Sequence, residues 1–157
     1  MSLDFDVNVN GLKETQEDLT RISRDLHSTP MVTAMRQAVL LVEREAKKNA
    51  PVFTGQLRSS IQGEVRTEGL FGQTVKGVIG SNALHAPWVE LGTKPHWPPI
   101  AALEVWAQRK GLSAYLVARA IATRGTKAVR YLQRAIESNQ QKIINLIEDG
   151  VTRIIRK

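Results

Sequence analysis

The sequence predicts an α+β fold: a small antiparallel sheet of three to four strands packed with helices, a helical hairpin inserted after it, and a long C-terminal helix. Three observations predict it. Two valine-bearing segments, 61–67 and 74–79, flank Gly69-Leu70-Phe71-Gly72, a glycine-bounded turn suited to an antiparallel hairpin. Leu3, Phe5, Val7 and Val9 alternate with polar residues, the period of a strand with one buried face. Apolar residues at helical spacing run through the rest of the chain. A length of 157 residues suits one domain, with 93–125 as the hairpin insertion and 129–156 as the long final helix.

Each element has its own signal. Gly11 ends the leading strand, and Leu12, Leu19, Ile22 and Leu26 then follow helical spacing. Glu14, Glu17 and Asp18 fall early in that helix, where the helix dipole favours negative charge. Ser28-Thr29-Pro30 closes it and opens another, with Thr29 as N-cap and Pro30 at the first helical position. Met31, Met35, Ala38, Val39, Val42 and Ala46 are its apolar stripe, and Asn49-Ala50-Pro51 stops it. Gly63, Gly77 and Gly80, in or beside the two strands, imply a bulge, a bend or close approach of a neighbour.

Pro87 to Leu91 reads as one helical turn ending at Gly92. Residues 93–99 hold three prolines and are irregular. Pro99 then opens a helix with Ile100, Leu103, Trp106 and Ala107 inward, ended by Gly111. Ser113 caps the next, with Ala114, Ala118 and Ile121 inward and Gly125 after it, giving a helical hairpin. In the last helix Val129, Leu132, Ile136, Ile143, Ile147, Val151 and Ile154 keep one stripe. That stripe outruns a small sheet, so Ile143, Ile147, Val151 and Ile154 are candidates to face another subunit, the alternative being that they are simply core.

Composition narrows the class. Hydrophobic residues make up 42% and charged residues 24%, values of ordinary globular chains. The longest apolar run, 38–42, is far short of a membrane span, and the acidic start 1–6 is unlike a signal peptide, so a soluble, unexported protein is expected. Absence of cysteine excludes disulfides and thiolate chemistry. The net charge of +7 is concentrated: 105–136 has no acidic residue but holds Arg109, Lys110, Arg119, Arg124, Lys127, Arg130 and Arg134. Such a segment is either a solvated helical face or meets an acidic partner, nucleic acid or a negative protein surface.

No pattern supports catalysis. His27, His85 and His96 lack ligand-like spacing, so no metal is expected. Ser59 and Ser60 lack a nucleophile elbow, Gly125-Thr126-Lys127 lacks the rest of a phosphate loop, and Glu90 is a lone carboxylate. The chain is expected to be no enzyme and to need no cofactor. A basic nucleic-acid-binding module is the alternative, although no DNA-binding motif is visible and Trp97, Trp106 and Tyr115 suit packing.

The stretch Ala50-Pro51-Val52-Phe53-Thr54-Gly55-Gln56-Leu57-Arg58-Ser59-Ser60-Ile61 resembles the Ala-Pro-Val-Asp-Thr-Gly-x-Leu-Arg-x-Ser-Ile signature of the phage tail-completion family, the small neck proteins of long-tailed phages. Asn82 to Thr93 resembles that family's Tyr-Ala-x-Tyr-Val-Glu-x-Gly-Thr signature, and Arg124 to Ala135 resembles, more weakly, its Phe-Leu-Arg-Pro-Ala block. The matching positions are Pro51, Thr54, Gly55, Leu57, Arg58 and Ser60, then Val89, Glu90, Gly92 and Thr93. Departures are Phe53 for the usual Asp, His85 and Trp88 for tyrosines, and Gln133-Arg134 for Arg-Pro, from which an earlier, straighter final helix is expected.

The resemblance implies a structural virion protein, made in the host bacterial cytoplasm and assembled as a ring, a hexamer in the virion, at the head-proximal end of the tail. Implied partners are copies of itself, the tail tube or terminator, the head connector and, non-specifically, channel DNA, with no membrane. Rings need two different surfaces per subunit. Candidates are the hairpin tip at Leu70 and Phe71 and the C-terminal helix, with the basic segment facing DNA or an acidic protein. Arg58 is expected to pair with Glu90, pinning the sheet to the helical turn, the alternative being two exposed and unrelated charges.

Overall fold

The computed structural model describes residues 16–18, 20, 29–68 and 74–156. The predicted leading strand (Leu3, Phe5, Val7, Val9), most of the predicted first helix and the hairpin tip with Leu70 and Phe71 lie outside these residues. The order is α1 (Thr29–Asn49), α2 (Gln56–Ser60), β1 (Ile61–Glu68), β2 (Thr74–Ser81), α3 (Ala86–Leu91), α4 (Ile100–Arg109), α5 (Ala114–Arg124), α6 (Tyr131–Glu137) and α7 (Gln140–Ile155). The fold is α+β and mostly helical. Among the described residues the sheet is a single antiparallel pair, from Ile61 opposite Ser81 to Glu68 opposite Thr74.

Helix α1 is the spine. Its buried side chains, Met31, Ala34, Ala38, Val39, Val42 and Ala46, form the predicted stripe with one addition, Ala34. Two strand glycines explain how it lies so close to the sheet. A Cβ built on Gly63 would stand 2.4 Å from Val39 Cγ1, and one on Gly77 would stand 2.6 Å from Val39 Cγ2. Val39 therefore fills the space that two side chains would have claimed. Of the three readings open for strand glycines, close approach holds at Gly63 and Gly77. Glu43 adds a polar tie, accepting the Gly63 amide at 2.9 Å and the Lys47 ammonium at 2.6 Å. Lys47 holds the Glu43 carboxyl below the ordinary glutamate value, burial opposes this, and the Gly63 bond assists it.

Val42, Ala46, Ala50, Leu57, Ile61, Ala83, Ala86, Tyr131 and Ala135 make one buried cluster, with Ile79, Val89, Val129, Leu132 and Ile143 packed on it. Tyr131 and Ile61 are its largest fully buried side chains. Burying Ile61 stabilises the fold by about 2 kcal/mol. The short helix α2, which sequence patterning does not anticipate, exists to deliver Leu57 into this cluster.

Two expectations are corrected. The final helix is broken, not straight: α6 ends at Glu137 and α7 begins at Gln140. Ser138 and Asn139 cause the break by competing for backbone acceptors. Ser138 Oγ donates to Arg134 O at 2.6 Å, and buried Asn139 donates through Nδ2 to Ala135 O at 3.0 Å. In the stripe of α7, Ile143 and Ile154 are covered within the chain instead of being left for another subunit. Helix α7 packs along α1, Ile154 is buried, Ile143 joins the core cluster and Gly150 abuts Ala34; Ile147 and Val151 are half-buried. Paired with α1, the stripe has an intramolecular cover that a small sheet alone could not supply.

Candidate functional site

The first motif builds the corner between α1 and β1. Pro51 follows the end of α1, and Gly55 adopts φ +84°, a left-handed conformation that opens α2. Thr54 Oγ1 accepts the Gln56 amide at 3.4 Å. Arg58 Nε donates to Lys47 O at 2.8 Å, satisfying a carbonyl left open in the last turn of α1. Ser60 Oγ bonds Leu57 O at 2.8 Å and lies 2.7 Å from Ser81 Oγ on the neighbouring strand.

The second motif closes on the segment before and within α6. Val89 O accepts the Val129 amide at 2.9 Å, and Glu90 O accepts that of Arg130 at 3.1 Å. The Glu90 carboxylate takes the amides of Leu132 and Gln133, each at 3.0 Å. Those amides belong to the first turn of α6 and have no partner within the helix, so Glu90 is an N-cap supplied from elsewhere in the chain. Arg130, at φ +55°, is the residue that turns the backbone into this position.

Glu90 and Arg58 are thus not paired, contrary to expectation. Each is drawn to backbone groups at a helix end: Arg58 to the carbonyl end of α1, Glu90 to the amide end of α6. Helix dipoles favour both placements.

Thr93 and Thr126 complete the join. Their amides and carbonyls exchange two bonds of 3.2 Å, and their hydroxyls meet at 3.0 Å. Gly92 and Gly125 flank this bridge at φ +73° and +71°. A Cβ on Gly92 would meet Thr126 O at 2.4 Å, and one on Gly125 would meet Thr93 O at 1.9 Å. Only glycine fits on either side. The second and third resemblance segments are therefore two halves of one clasp.

Tyr131, at the start of α6, lies beneath both motifs. Burial pushes its phenol pKa up, the charge of Glu90 adds to this, and a hydrogen bond with Ser81 opposes it. Ser81 Oγ also accepts the Ala83 amide at 3.2 Å. The polar residues of both motifs are engaged in holding the fold.

What remains open is apolar and cationic. A cleft of about 910 Å³ runs between α3 and the α4–α5 hairpin, with Pro51, Trp88, Pro98, Leu103, Ile121 and Val129 on its walls and Lys94 and Lys127 at its edge. Helices α4 and α5 pack mainly on each other, through buried Ala107 and Ala118. Trp97 meets Tyr115 edge-to-face, with ring centroids 6.0 Å apart. Arg109 sits 4.8 Å over the ring of Phe53, so the residue that departs from the first signature anchors the hairpin to the body. The predicted inward residues Ile100, Leu103, Trp106, Ala114 and Ile121 are half-buried.

All seven cations of the basic segment are exposed: Arg109, Lys110, Arg119, Arg124, Lys127, Arg130 and Arg134. Among the described residues, none of them forms an ion pair. The structure brings Lys127 to the cleft and Lys110 to a smaller cavity of about 500 Å³ beside Phe53 and Trp106. His85 and His96 also line the cleft, and no group of three or more metal-ligating side chains occurs among the described residues. No helix there is long and apolar enough to cross a membrane.

The family model described as "Bacteriophage HK97-gp10, putative tail-component" matches residues 13–92, just over half of the chain. The chain belongs to this phage tail-component family. The match takes in the spine α1, the hairpin and both signature segments as far as Gly92. The clasp partner, residues 125–133, and the α4–α5 hairpin lie beyond the matched part of this family member. No curated protein and no solved structure matches the chain. One surface feature escapes motif reading: Leu84, Trp88 and Leu91 are 90%, 60% and 77% exposed. Trp88 and Leu91, three residues apart on α3, carried the available signal, and Leu84 lies in the turn before that helix.

Proposed function

We propose that this tail-component family member is a structural subunit that completes the tail at its head-proximal end, assembling there as a hexameric ring that joins tail to head. It acts by fitting against neighbours and not by catalysis, and it resides in the neck of the virion. Its partners are copies of itself, the tail tube or terminator and the head connector. The observation that carries the reading is the division of labour among side chains. Holding the corner and the clasp together uses up Arg58, Ser60, Glu90 and Thr93, while large apolar residues and the cations stay in solvent. Such a surface suits docking better than turnover. The predicted strand at Leu3, Phe5, Val7 and Val9 would add a third strand to the sheet. Deleting the gene from the phage tests the proposal. Full heads and separate tails are expected in the lysate by electron microscopy, and joining should return when the gene is supplied in trans. Normally attached tails without the protein would refute it. Salt-sensitive duplex-DNA binding by a monomer would instead favour a nucleic-acid module.

A further inference from the structure

We propose that the cleft between α3 and the α4–α5 hairpin is the docking site for an acidic, apolar protein segment of another virion component. The proposal rests on the tail-joining reading for the partner's being a particle protein. The surface itself dictates the partner's chemistry. The walls of the cleft are Trp88, Pro98, Leu103, Ile121 and Val129, an apolar lining that excludes a purely charged ligand. Trp88 and Leu91 lie exposed on α3, and Leu84 lies exposed in the turn just before it, so large apolar side chains stand in solvent beside the cleft.

Charge complementarity fixes the rest. Lys94 and Lys127 stand at the cleft, and Arg119 and Arg124 are exposed on α5, the helix that contributes Ile121 to its wall. From 91 to 136 the sole carboxylate is Glu104. Glu90, which borders the cleft in sequence, is occupied by the amides of α6 and offers the cations nothing. A partner that buries aliphatic or aromatic groups in the cleft while setting Asp or Glu against its rim satisfies both features. Duplex DNA satisfies only one, because phosphates would reach the cations and leave the apolar walls in water.

The full chain should be titrated against a fluorescent peptide of alternating aspartate and leucine or phenylalanine, read by anisotropy. Comparison arms are the same peptide with lysine for aspartate, polyglutamate, and short single- and double-stranded DNA. The aspartate peptide is expected to bind about tenfold tighter than every comparison probe. The variants Trp88→Ala and Lys94→Glu/Lys127→Glu are each expected to weaken it by about tenfold. Leu84→Ser, at a position still more exposed, gives a second apolar variant whose folding is not in question. Equal binding of polyglutamate, tighter binding of either DNA, or unchanged affinity in both apolar variants overturns the proposal. So does self-association, measured by light scattering, that Trp88→Ala abolishes, since a second copy would then be the occupant. The titration uses purified protein, so its failure leaves the deletion phenotype standing, and attached tails in the deletion phage leave the titration standing.

Discussion

Glu90 holds the amide of Gln133 at 3.0 Å across forty-three residues of sequence, and through it the turn of α3 starts helix α6. Replacing Glu90 with alanine leaves two amides in the first turn of α6 without an acceptor. A loss of about 2 kcal/mol in unfolding free energy is expected by chemical denaturation. Since Arg58 contacts Lys47 O and not Glu90, the Arg58→Ala loss should add to it within about 0.5 kcal/mol. Strong coupling in the double mutant would contradict the geometry.

The approach of α1 to the sheet sets up a second test. Gly63→Ala and Gly77→Ala each push a methyl into Val39, and each should cost about 1–3 kcal/mol. Val39→Ala should cost a similar amount through the cavity it leaves. Combining Gly63→Ala with Val39→Ala is expected to cost less than the sum, because each change relieves the other. Strict additivity would show that α1 is free to shift.

The clasp predicts a harsher outcome. Gly125→Ala combines a left-handed φ with a clash against the Thr93 carbonyl, and a loss of about 3 kcal/mol or more is expected in thermal or denaturant unfolding. Ser113→Gly, in the loop between α4 and α5 where no side-chain cap bond forms, is the matched control and should change stability little.

Two groups give pH limits of opposite sign. The folded pKa of Glu43 is lowered, chiefly by Lys47, so its contribution is present above the unfolded value and is lost on acidification through the folded value. The folded pKa of Tyr131 is raised, chiefly by burial, so its contribution is present below the unfolded phenol value and disappears as pH rises through the folded one. Urea midpoints measured across pH should therefore fall at both ends. Glu43→Gln should flatten the acid limb and Tyr131→Phe the alkaline limb. A limb unchanged by its variant would disprove the assignment.

Much of this architecture is legible in the residues. The stripe Met31 to Ala46, the strands on either side of 69–73 and the helical hairpin all follow from local periodicity, which is why the structure keeps them. What patterning missed depends on contacts between distant segments. Asn139 looks like any helix-surface polar residue until its burial and its bond to Ala135 O are known. Arg58 and Glu90 read as partners because opposite charges in adjacent motifs invite pairing, yet each finds a helix terminus nearer to hand. The distal stripe of α7 seemed to need a second subunit because nothing local showed that α1 would receive it. The cleft was least legible, since its walls come from the α1–β1 corner, α3, the hairpin and the segment before α6.

The bridge between Thr93 and Thr126 means that the polypeptide leaves for the α4–α5 excursion and returns at the same spot. A unit hung on such a neck is a natural cassette. It could be shortened, exchanged or replaced by a tight turn while the spine, sheet and α6–α7 pair stayed as they are, so the outer wall of the cleft could diversify without renegotiating the rest of the subunit.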